Sequence, residues 1–93
     1  MKNYRIVENP KTKVDEREIE YTIEKVKKVL GTDDFFIEVY PDPECPAEPM
    51  YVVRYNNKEF EKKVIKNHLK YLDKLAKEFS KSGKHPNVML FWS

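Results

Sequence analysis

From Lys63 to Lys81 the chain places apolar residues at helical spacing. At about 100° per residue, Val64, His68, Tyr71, Leu72, Leu75, Ala76 and Phe79, with Ile65 and Leu69, fill one broad arc. Lys63, Lys66, Lys70, Lys74, Lys77 and Lys81 occupy the opposite arc, with Asp73 the acid among them. A helix so wide on its apolar side must be covered by a sheet or another helix, which commits the chain to a layered domain. At 93 residues that means a single domain over residues 1–93. A chain of this size buries roughly 60 to 70% of its unfolded surface around one core.

The remaining elements follow from local signals. Tyr4 to Glu8 alternates Tyr4 and Ile6 against Arg5 and Val7 and stops at Asn9 and Pro10, a short strand. Asp15 then stands where a helix cap is needed, Glu18 at the capping-box position, and Val14 and Ile19 at staple spacing. This first helix is expected to run to Leu30, burying Ile19, Ile23, Val26, Val29 and Leu30, with Tyr21 on its polar side. Lys25, Lys27 and Lys28 suit its C-terminal dipole, and Gly31 terminates it. Phe35 to Tyr40 and Met50 to Tyr55 are aromatic and β-branched, and read as adjacent strands. The acidic connection between them carries Pro41, Pro43, Pro46 and Pro49, which predicts a long, stiff loop without ladder pairing.

Residues 56–62 admit two readings. Asn56 or Asn57 could cap a helix from Lys58, but a helix continuous with the Lys63 to Lys81 run would set Glu61 in the apolar arc, at a cost. Alternatively Asn56 and Asn57 form a two-residue turn into a short strand at 58–62, pairing Arg54 with Glu59 and Val53 with Phe60. The hairpin is the preferred reading. Val88 to Trp92 closes the chain as a strand apolar on both sides, expected inside the sheet or against a partner.

Without the disputed strand the order is β, α, β, β, α, β. It resembles the split arrangement of ferredoxin-like domains, an α+β fold in which two helices cover one face of an antiparallel four-stranded sheet. On that fold the ribonucleoprotein-type RNA-recognition domains stack bases on the open sheet face. Here the outer face is expected to carry Arg5 with Val7, Phe36 with Glu38 and Tyr40, and Val52 with Arg54. Met50 to Asn56 departs from that family's pattern, with neither a glycine nor paired aromatics. The acylphosphatase type needs a glycine-rich anion loop with an arginine after the first strand, where this chain has Asn9, Pro10, Lys11 and Thr12; the metal-transport type needs two cysteines there.

Charge narrows the function classes. The net charge is only +2, yet Lys58 to Lys84 holds nine lysines against Glu59, Glu61, Asp73 and Glu78, leaving the rest of the chain acidic. Cys45 cannot form an internal disulfide, and no apolar run reaches membrane-spanning length, which together indicate a cytoplasmic protein. No glutamine, two glycines and a charge set dominated by Lys and Glu match heat-adapted proteins. His68, His85 and Cys45 are not at ligand spacing, so neither metal nor cofactor is expected. His68 reads as a core histidine and Cys45 as an inert surface thiol.

The sequence therefore points to a non-enzymatic nucleic-acid-binding protein, for DNA or RNA. Lys63, Lys66, Lys70, Lys74, Lys77 and Lys81 would hold the backbone, and Arg5, Arg54, Phe36 and Tyr40 would form a sheet-face groove. The other reading of that face pairs Arg5, Glu38 and Arg54 with one another. The alternative function is a protein-interaction module, a homodimer or regulatory inhibitor, joined through Phe36, Tyr40, Val52, Phe91 and Trp92.

Overall fold

The first helix, α1 (Glu16–Leu30), forms where its caps place it. The Asp15 carboxylate accepts from the Arg17 N–H at 2.9 Å, and Gly31, at φ +72°, donates its N–H to the Lys27 carbonyl at 2.8 Å. This computed structural model describes residues 4–6, 13–45, 47–83 and 86–91. The expected partners Val7, His85 and Trp92 lie outside them. Ile19, Thr22, Val26 and Leu30 form the buried stripe of α1, and the Thr22 hydroxyl is satisfied by the Glu18 carbonyl at 2.8 Å. Val14 is exposed, so the expected staple covers little, and Glu18 accepts from the Tyr51 hydroxyl.

Strands β2 (Phe35–Pro41) and β3 (Pro49–Tyr55) pair antiparallel from Phe35↔Tyr55 to Pro41↔Pro49. The ladder thus reaches the two prolines expected to lie beyond it. Asp42 N–H to the Glu48 carbonyl closes the next pair, so Pro41 and Pro49 form a pair whose N–H positions face away from each other. No ladder bond is lost there. The connection is correspondingly short and folded, with the Asp42 carboxylate accepting from the Glu44 N–H and the Cys45 carbonyl from the Glu48 N–H.

Strand β1 (Tyr4–Ile6) adds to β2 in parallel, Arg5 opposite Glu38, and β4 (Val88–Met89) adds to β3 in parallel, Val52 opposite Met89. The domain is α+β with a mixed four-stranded sheet in the order β1-β2-β3-β4. The expected antiparallel sheet is confined to the central pair. Nor are the strands interleaved as in a split arrangement, because each β-α-β unit lays its second strand directly beside its first. The helices cover one face, packing Ile19, Val26, Val64, Tyr71, Leu75 and Phe79 on Phe35, Ile37, Val39, Tyr51 and Val53. Since the two parallel pairs run in opposite directions beneath helices on one side, the two crossovers have opposite hands. One of them departs from the right-handed rule.

The preferred hairpin at 58–62 is wrong. Residues 58–66 form α2 (Lys58–Lys66), whose N-cap Asn57 accepts from the N–H groups of Glu59 and Phe60 at 2.9 and 3.2 Å. The expected single helix from Lys63 to Lys81 is also interrupted. Asn67 ends α2, its side-chain amide donating to the Lys63 carbonyl at 2.9 Å, and α3 (His68–Ser82) begins at the next residue. The apolar phase nonetheless carries across that break, since Val64, Tyr71, Leu75 and Phe79 are all buried. Glu61 is half-exposed, and at one edge of the arc Ile65 and Leu69 are 46% and 79% exposed and Ala76 is exposed.

Two further expectations change in tertiary context. Tyr21, placed on the polar side of α1, packs on Phe79 with ring centroids 5.9 Å apart, and its hydroxyl hydrogen-bonds Ser82. The closing strand is limited to Val88 and Met89 at the sheet edge. Leu90 is then buried, its carbonyl accepting from the Tyr55 hydroxyl at 2.6 Å. Replacing Asn57 with Ala should lower unfolding free energy by about 1 kcal/mol in urea denaturation, while Asn57→Asp retains it, because Asp caps as well as Asn.

Candidate nucleic-acid interface

The strand register sets the outer sheet face as expected: Arg5, Phe36, Glu38, Tyr40, Val52 and Arg54 share it, with Met89 opposite Val52. At its centre the buried Glu38 carboxylate accepts from Arg54 Nε at 2.5 Å, Arg5 Nη2 at 3.1 Å and the Tyr40 hydroxyl at 3.1 Å. The pairing of Arg5, Glu38 and Arg54 is thus the arrangement present. Both arginines expected to hold bases are engaged with one carboxylate. Val52, expected at an interface, is fully buried: Glu38 and Met89 across the ladders and Met50 and Arg54 along its strand are all longer. Phe36 and Tyr40 are half-buried.

Burial alone would raise the Glu38 carboxyl, but the hydrogen bonds from Arg54 and Tyr40 and the charges of Arg54 and Arg5 outweigh it and hold the group below its usual range. A depressed carboxyl stabilises the fold above its unfolded value, and that contribution is lost as pH falls through the folded one. Glu38→Gln should therefore lose less unfolding free energy than the wild type between about pH 5 and pH 3, measured by denaturation at each pH.

The six expected lysines are divided between two helices. Lys63 and Lys66 belong to α2, Lys63 lying 6.0 Å from the Phe60 ring centroid, whereas Lys70, Lys74, Lys77 and Lys81 share one face of α3. The helix α1 runs antiparallel beside that face, as Tyr21 to Ser82 and Lys28 to Glu78 show. Between them lies an open cleft of about 300 Å³ lined by Lys28, Val29, Lys74, Lys77, Glu78 and Lys81. Two helices thereby converge four lysines on one cleft. Lys28 and Glu78 were not among the expected site residues; Glu78 and Lys81 at i,i+3 were readable as a pair, but the approach of Lys28 across a helix interface was not.

Glu78 is the cleft's anchor. Its oxygens are each 3.0 Å from one ammonium, Oε1 from Lys28 and Oε2 from Lys81, and its side chain is only 10% exposed. Hydrogen bonds from Lys28 and then Lys81 hold its carboxyl below the usual range, so it remains an anion at neutral pH. At the rim, Lys77 pairs with the exposed Asp73 at 3.1 Å, and the Lys74 ammonium lies 5.8 Å from the Tyr71 ring centroid. A second hollow, at the end of α1, is lined by Lys25, Lys27, Lys28, Glu24 and Asp33 with Gly31 and Thr32. Ammonium groups gathered in this way give both hollows a positive lining.

The opposite end of α1 is acidic, with a cleft of about 390 Å³ lined by Glu18, Tyr21, Asp42, Glu48, Pro49, Pro86 and Asn87. Asn87 donates to Asp42 at 2.8 Å, and burial together with the Glu18 carboxylate pushes the Tyr51 phenol far above its usual range. Among the described residues, no group of three His, Cys, Asp or Glu side chains could hold a metal ion. Nor is any helix there long and apolar enough to cross a membrane. His68 is half-buried, edge-on to Phe91 at 4.7 Å, and Cys45 is exposed. The chain matches no protein-family model, no curated protein and no solved structure.

Proposed function

We propose that this is a non-enzymatic, cytoplasmic nucleic-acid-binding protein that grips the phosphate backbone in the α1/α3 cleft. The convergence of Lys28, Lys74, Lys77 and Lys81 on that cleft carries the reading. Lys74 to Lys81 spans roughly 10 Å along α3 at 1.5 Å per residue, a row able to follow one strand's backbone. Lysines act as point charges, and the cleft lining has no ring to stack on a base, which favours binding without sequence readout. The sheet face contributes less than its sequence suggested, because Glu38 already engages Arg5 and Arg54.

A protein-interaction role is the second reading, favoured by the outward-turned Ile65 and Leu69. It predicts a dimer at micromolar concentration that Leu69→Glu converts to monomer.

Fluorescence anisotropy with a short DNA duplex tests the first reading. Four lysines less the Glu78 charge leave about three phosphates to neutralise, so log affinity should fall with log salt at a slope of about −2.7. Lys74→Gln with Lys77→Gln should weaken binding about tenfold and flatten the slope by about 1.8, whereas Lys63→Gln with Lys66→Gln changes it less. No binding at low salt overturns the reading.

A further inference from the structure

We infer that Glu78 sets the affinity of the cleft, as a buried counter-anion with which an incoming phosphate competes for Lys28 and Lys81. The inference rests on the α1/α3 cleft being the binding site. Each oxygen of Glu78 takes one lysine, one from each helix, and the carboxylate sits among the residues that line the cleft. A phosphate that approaches Lys28 and Lys81 therefore meets an anion already between them. Their attraction for the ligand is reduced by the charge they share with Glu78, and full engagement requires the two ammonium groups to turn from the carboxylate towards the phosphate.

Position distinguishes this role from net charge. Asp73 is also paired with a cleft lysine, Lys77, but its side chain is 65% exposed against 10% for Glu78. Water and salt screen a rim carboxylate far more than one enclosed between two helices. The two acids differ in this respect while carrying the same charge. Lysine suits such a shared arrangement, because each ammonium has three donors and commits only one to the carboxylate, which leaves the others for a ligand oxygen. Glu78 then has a double part: it holds Lys28 and Lys81 at the cleft in the free protein, and it keeps the complex weak and reversible.

Duplex titrations of wild type, Glu78→Gln and Asp73→Asn, each checked for its fold by thermal melting, test the inference. Glu78→Gln should bind about tenfold more tightly at low salt and steepen the salt slope by about 0.9. Asp73→Asn should tighten binding by less than about threefold. Equal gains in both variants, or no gain in Glu78→Gln, overturn the inference while leaving the cleft as the binding site. Absence of binding by all three proteins overturns both. A measurement on the wild type is independent of whether Glu78→Gln folds. The Glu78 side-chain carboxyl 13C resonance should titrate at higher pH with duplex bound than without, because the ligand draws Lys28 and Lys81 away. An unchanged titration overturns the inference.

Discussion

The helix-facing side of the β2–β3 hairpin is the surface on which the rest of the molecule depends. Phe35, Ile37, Val39, Tyr51 and Val53 are all nearly inaccessible there, and each helix contributes buried residues to the same cluster. Among the described residues the outer strands are brief, three residues in β1 and two in β4, and segments of that length depend on this central ladder. Removing apolar area from water is the dominant gain, and in a chain this short the hairpin is where it is concentrated. Its position also brings α1 and α3 together, since both must lie on one narrow face.

Two carboxylates then organise the charges on opposite sides of the sheet. Glu38, away from the helices, is enclosed by Arg5 and Arg54; Glu78, between the helices, is enclosed by Lys28 and Lys81. The same requirement acts in both places, for a carboxylate removed from water must be met by cations and hydrogen bonds. The cations differ in kind. On the sheet, arginines fixed by their strands satisfy the anion within a network that also includes Tyr40. Between the helices, compact ammonium groups on flexible stems meet the anion and retain donors for another. That difference leaves the helices, without the sheet face, as the proposed binding surface.

Charge is also segregated along α1. Its start adjoins Glu18, Asp42 and Glu48, and its end carries Lys25, Lys27 and Lys28. This polarity complements the helix macrodipole, so local stability alone accounts for the sign at each end. The packing of α3 gives the basic end its further consequence, by adding lysines from a second helix to those of the first.

What the sequence determined by itself was local. Asp15 and Gly31 bounded α1, Gly83 ended α3 at φ +75°, and the alternation of Arg5, Glu38 and Arg54 set the outward phase of three strands. Each depends on residues close in the chain, through a cap, a left-handed turn or the two-residue period of a strand. Tertiary structure decided the rest. Whether Asn57 capped a helix or turned a hairpin, whether Asn67 divided the apolar run, and which strands became neighbours all depended on burial against distant partners. The phase from Val64 to Phe79 held, but the sheet covered a narrower arc than the apolar one and left Ile65 and Leu69 outside it. The convergence of Lys28 with Lys81 on Glu78 had no local signature, because it joins helices that only the shared hairpin face brings together.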